Sequence, residues 1–159
     1  MKREALILIL SLGACAHATS QSKTARHPIP GDTLVRIYHS AFDGPANAVR
    51  KVVRDPIDWR RAWIQTRSAP TDSAPPPVDF SSHMVVIAGM GRVPSTGYEL
   101  FVDSVVSVDW GTLVYVRSTS VAGCPGAGME TEPVDIVRVP KTTLPVQFVE
   151  YTEVHRCPD

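Results

Sequence analysis

Excess charge of either sign is missing from this sequence, in which 16 Lys and Arg stand against 16 Asp and Glu. A nucleic-acid binder must neutralise phosphates with concentrated Lys and Arg, so no nucleic acid is expected as a partner. Long apolar runs are missing too. The stretch from Ala5 to Leu12 covers eight residues, against the roughly 20 a helix needs to cross hydrocarbon. Cysteine is scarce, with three in 159 residues. None sits in Cys-x-x-Cys spacing, and adding His155 to Cys124 and Cys157 gives only a third ligand where structural zinc takes four.

The glycine motifs of nucleotide chemistry are also lacking. Gly91 to Gly97 is spaced one residue too long for a phosphate loop and is followed by Tyr98 instead of Lys. Gly89-Met90-Gly91 lacks the third glycine of a dinucleotide fingerprint, and Val93 stands where a nucleophile elbow around Ser95 would need Gly. His39, His83 and His155 are isolated, and Glu99, Asp103 and Asp109 alternate along one strand as solubilising residues. No catalytic residue, metal or cofactor is expected, and the chain reads as a non-enzyme.

What is present begins at the N-terminus. Met1-Lys2-Arg3, the apolar run, and Leu12-Gly13-Ala14-Cys15 resemble a bacterial lipoprotein signal, with a basic flank and small residues before the cysteine. The resemblance implies a signal over 1–14, acyl chains (palmitate among them) on Cys15, and a membrane anchor facing a cell-envelope space. Ala16 in place of Asp implies the outer membrane. Residues 15–32 are polar, rich in Ser, Thr, Ala and Pro, and read as a flexible tether. Cys124 and Cys157 then form an even pair in a compartment where disulfides persist, and a bridge between them is expected.

Residues 33–159 suit one domain. Leu34 to Ser40 and Ala48 to Arg54 read as strands. Asp55 before Pro56 starts a helix through Arg67, with Asp as N-cap and Pro at the first helical position. Trp59 and Trp63 share a face of it and are expected to anchor it on a sheet. Four prolines make Ser68 to Val78 a loop. Five further strands are expected: Met84 to Met90, Tyr98 to Trp110, Thr112 to Thr119, Val134 to Pro140 and Val146 to Tyr151. In Tyr98 to Trp110 the even-numbered apolar residues, Val106 and Trp110 included, alternate with polar ones, which predicts one buried and one wet face. The fold class is mainly β, an antiparallel barrel or sandwich of about seven strands with one α-helix in the N-terminal half.

Several segments together resemble a known family: Val78-Asp79-Phe80-Ser81, the strand from Met84 to Ala88, Gly91, Pro94-Ser95-Thr96-Gly97-Tyr98-Glu99-Leu100, the Pro/Gly-rich loop at Cys124 to Gly128, Thr131-Glu132-Pro133, and Val134 to Lys141. They are similar to the PrcB C-terminal domain over about Ile57 to Val149. The family's Thr-Gly-Gly-Tyr stands here as Ser95-Thr96-Gly97-Tyr98, so one position has lost the freedom of glycine. The resemblance implies an accessory, protein-binding module for the assembly or stability of a surface or periplasmic protease complex.

The loop of Pro94, Ser95, Thr96, Gly97 and Tyr98 is the candidate recognition element, because it joins a preset φ, a glycine able to take positive φ, and a rigid amphipathic ring. The same loop resembles that of chagasin-type cysteine-protease inhibitors, the alternative reading, although Val93 replaces the expected Asn and no Arg-Pro-Trp loop is present. The plainer alternative makes Gly97 a tight corner and Tyr98 a core residue.

Overall fold

Seven consecutive residues, His83 to Gly89, carry almost no polar side chain, and a strand of that composition is at home only with both faces covered. The computed structural model, which describes residues 27–28, 34–66, 74–122 and 128–156, puts it there. The 1–14 segment, most of residues 15–32, and Cys15, Cys124 and Cys157 lie outside the described residues.

The elements in chain order are β1 (His27–Pro28), β2 (Val35–Ser40), β3 (Val49–Val53), α1 (Pro56–Gln65), β4 (His83–Gly89), β5 (Glu99–Val108), β6 (Gly111–Ala122), β7 (Val134–Pro140) and β8 (Val146–Arg156). They form two four-stranded sheets, ordered β2-β7-β4-β3 and β1-β5-β6-β8. The sheets do not close on one another, so of the two architectures expected the chain adopts the sandwich.

Met84, Val86 and Ala88 from β4 and Val137 and Val139 from β7 face Leu100, Val102, Val105, Val114 and Val116 of the second sheet, and together they make the inter-sheet core. The alternate residues Val85, Ile87, Val134 and Ile136 point the other way, onto Trp59, Ala62 and Trp63 of α1. The helix therefore lies outside the sandwich and gives the first sheet a second core, as the shared face of Trp59 and Trp63 predicts. Asp55 Oδ1 accepts the backbone N–H groups of Ile57 and Asp58 at 3.0 and 2.9 Å, and Pro56 opens the helix where no N–H is needed. The Trp59 indole N–H donates to the Pro76 carbonyl at 2.9 Å, which lets the ring be buried without an orphan donor.

Two features depart from the sequence reading. The β5–β6 ladder shifts register between Val102 and Ser104, a bulge at Asp103. Beyond an extra residue the alternation changes phase, so Val105 is buried and Val106 only half-buried; Val108 is buried as the alternation predicts, and Trp110, in the turn, is exposed. The sheets are also not wholly antiparallel. β8 runs parallel to β6, from Thr112 opposite Val146 to Ala122 opposite Arg156, because β7 between them belongs to the other sheet. Within the segment read as a tether, His27 and Pro28 pair with Ser107 and Val106 of β5.

Candidate recognition cleft

The loop from Met90 to Tyr98 joins the two sheets, and the segment 131–133 pins it. Met90 N–H donates to the Pro133 carbonyl at 2.8 Å, and Val93 and Thr131 exchange backbone bonds of 2.8 and 3.0 Å. The buried Thr131 hydroxyl donates to the Ser95 carbonyl at 3.2 Å, and the Arg92 guanidinium places two donors on Glu132 Oε1. Thr131-Glu132-Pro133, distant in sequence, is thus the backing of the loop. At the other end Gly97 adopts φ 96°, and a Cβ there would lie 2.7 Å from Cγ2 of Val121 on β6. Both the conformation and the space require glycine. Pro94 and Gly97 are exposed, and Ser95, Thr96 and Tyr98 half-buried, so the loop lies along the sandwich end and Tyr98 is not part of the core.

Tyr98 stands between two hollows at that end. One, of about 480 Å³, is lined by Phe42, Gly97, Tyr98, Thr119, Val121 and His155, with Ala41 and Glu99 at its margins. The other, of about 390 Å³, is bounded by Tyr98, Arg50, Met90, Ser118, Glu150 and Thr152 among others. Arg50 spans the sheets here. It meets Glu150 through two bonds of 3.0 Å and also donates to the carbonyls of Gly89 and Val49. Phe42, 55% exposed, leaves most of its ring in water beside the first hollow. An aromatic pair flanked by a histidine and a held ion pair can take an apolar side chain with a polar group beside it.

A second polar cluster lies along the seam where β5 meets β2 and β7. Asp135 on β7 is 0% exposed, and its carboxylate accepts Arg36 Nε at 2.8 Å, Arg36 Nη2 at 3.0 Å and the Val102 backbone N–H at 2.8 Å. Arg36 Nη2 also reaches the Val102 carbonyl, so one ion pair satisfies both backbone groups at the open edge of β5. The hydrogen bond from Arg36 to Asp135 raises the guanidinium above its ordinary value, against a smaller opposing effect of burial. His39 stacks on Phe101 at 4.5 Å, and its Nδ1 is 3.7 Å from Asp135. Arg117 lies over the same Phe101 ring and binds Asp103 at 2.8 and 3.2 Å. Burial alone would raise the Asp103 carboxyl, but hydrogen bonds from Arg117 and Tyr151 together with the charges of Arg117 and Arg36 outweigh it and hold it below the usual carboxylate range. The bond to Asp103 raises the Tyr151 phenol, with burial adding to it.

One grouping has the composition of a hydrolase triad without its order. Ser82 Oγ is 2.6 Å from Asp79 Oδ2 and 2.7 Å from the ring Nδ1 of His83. The serine sits between carboxylate and imidazole, whereas activation needs the imidazole in the middle. Asp79 also accepts from the Ser81 hydroxyl and N–H, and these bonds bring its carboxyl down to about 2. The cluster caps the turn before β4. Among the described residues no group of three His, Cys, Asp or Glu is placed to hold a metal ion.

A helix-backed β-sandwich with a partly apolar cleft at one end of its strands is the class of architecture these elements define. Residues 84–140 of it match the family model described as PrcB C-terminal. The match runs from β4 through β7 and takes in the 94–98 loop with its 131–133 backing, so the resemblance drawn from those residues is borne out there. No curated protein and no solved structure matches the chain.

The structure brings Gly97 and Tyr98 to the cleft wall together with His155, which in the sequence is one of three isolated histidines. The sequence reading also missed Phe42 and the Arg36, His39 and Asp135 seam. Phe42 carries a faint signal, an aromatic next to the turn residues Asp43-Gly44-Pro45 between two runs that read as strands.

Proposed function

We propose that this chain is a non-catalytic accessory lipoprotein of the cell envelope, which binds a protein partner through the Phe42–Tyr98 cleft in the setting of a protease complex. The observation that carries the reading is Phe42, a large aromatic left 55% exposed at the mouth of a mostly apolar hollow. Rigid aromatics on loops of a firm scaffold are the usual anchors of protein recognition. The PrcB C-terminal match supports the protease-complex setting. A lipid anchor at Cys15, in the outer membrane, is supported by the basic flank, the apolar run and the small residues before that cysteine. A Cys124–Cys157 bridge is supported by the even pair of cysteines that remains once Cys15 carries lipid.

A photo-crosslinking residue at position 42 of the full chain, expressed in its own cells, tests the reading. The expected product is a specific adduct with an envelope protein belonging to a protease complex. Phe42→Asp, which replaces an exposed side chain and should fold normally, should lower capture of that protein about tenfold or more, as loss of a central anchor does. Unaltered capture by the folded variant would remove the cleft from the proposal. Tight, stoichiometric inhibition of papain-like proteases by the wild type would replace it with the inhibitor reading.

A further inference from the structure

We propose that the end of the sandwich carrying Trp110 and Leu144 rests on the lipid bilayer and holds the Phe42–Tyr98 cleft at the opposite end, pointing away from it. The inference rests on the lipid-anchor reading of Cys15 and adds an orientation that the anchor alone does not give.

The path of the chain supplies the first argument. β1 is antiparallel to β5, with His27 opposite Ser107 and Pro28 opposite Val106. The chain therefore enters β1 from the end where β5 turns into β6, at Asp109-Trp110. Cys15 precedes His27 by twelve residues, which span about 40 Å at most. Membrane acyl chains at Cys15 tether the domain by this end, within about 40 Å of the headgroups. The cleft, beside Glu99 at the start of the ten-residue β5, lies about 30 Å further along the strands.

The second argument is what this end displays. Trp110 is 51% exposed in the hairpin turn, and Leu144 is 46% exposed in the segment before β8 at the same end. The segments that carry them are tied together, since Thr112 N–H donates to the Pro145 carbonyl at 2.9 Å. Arg54 shares a shallow hollow with Leu144 and Pro145, its Nε donating to the Thr142 carbonyl at 3.2 Å. Lys141 leaves β7 at the same end, and Asp109 is exposed in the turn. A tryptophan and a leucine flanked by cations are the side chains that settle at a membrane–water interface, the ring among the headgroups and the cations on phosphates.

The protein as purified from membranes, reconstituted into vesicles of phosphatidylethanolamine and phosphatidylglycerol carrying a lipid spin-labelled high on its acyl chain, provides the test. Trp59 and Trp63 are buried, which leaves Trp110 as the indole lipid can reach. The spin label should quench a component of the emission, and that component should be lost in Trp110→Ser. A tryptophan introduced as Phe42→Trp should be quenched by aqueous iodide and not by the labelled lipid. A chain that floats with the vesicles while iodide, not lipid, quenches Trp110 overturns the orientation and leaves the anchor standing. A chain that does not float overturns the anchor, and the orientation with it.

Discussion

The sheet of β2, β7, β4 and β3 is covered on both faces, by the second sheet and by α1, whereas the sheet of β1, β5, β6 and β8 is covered on one. In β4 six of seven residues are buried, and in β8 none of eleven is. The doubly covered sheet is determined by volume: each of its alternate residues fills one of two cores. The singly covered sheet carries Asp103, Arg117 and Tyr151 on its wet face and supplies Glu99, Thr119, Val121 and His155 to the cleft.

Deleting volume from the doubly covered sheet should break this contrast most severely. Ile87→Ala removes a fully buried side chain from beneath α1 and should cost about 3 to 4 kcal/mol, while Val154→Ala on the exposed end of β8 should cost no more than about 0.5 kcal/mol. Urea unfolding should give a lower midpoint at unchanged slope for the first and superimposable curves for the second. Equal losses would mean that the two sheets share one kind of packing.

The seam between the sheets should come next. Arg36→Met leaves the Asp135 carboxylate buried without its cation and should cost about 3 kcal/mol, the low end for a broken buried pair because Arg36 itself is partly exposed. Adding Asp135→Asn removes the stranded charge and keeps an acceptor for the Val102 N–H, so the double variant should be more stable than Arg36→Met alone. A double variant less stable than the single one would show that Asp135 does not act through its charge.

The smallest effect belongs to the wet face. The folded state holds the Asp103 carboxyl below its ordinary value of 3.8, so its ionised form contributes stability that is present above that value and is lost as pH falls through the folded one. Wild type should therefore lose melting temperature below about pH 4 more steeply than Asp103→Asn. The gap between them should be largest near neutrality and close in acid; parallel profiles would show that the Arg117–Asp103–Tyr151 bonds add nothing measurable.

The parts of this molecule legible in the sequence are those encoded by local chemistry. Asp55-Pro56 and the spacing of Trp59 and Trp63 give the helix start and its buried face, the run from Met84 to Ala88 gives a central strand, and Gly97 announces a positive φ. The bulge at Asp103 has no residue signature, and without it the alternation wrongly buries Val106; Trp110 escapes burial because the strand ends before it. The choice of sandwich over barrel, and the parallel placement of β8, depend on which sheet β7 joins, which no local pattern records. The seam was illegible for the same reason: His39 meets Phe101, and Arg36 meets Asp135, only once the sheets are stacked.

The parallel pairing of β8 with β6 also sets an order of assembly. The β5–β6 hairpin closes locally, with Val108 opposite Gly111, but every β6–β8 pair joins residues 34 positions apart, as Thr112 and Val146 are. Contacts that close long loops form after those that close short ones, and the intervening β7 must be seated in the opposite sheet. By that rule β8 docks after the β5–β6 hairpin, and until it does the edge of β6 along Val114 and Val116 is an open template for any extended chain nearby.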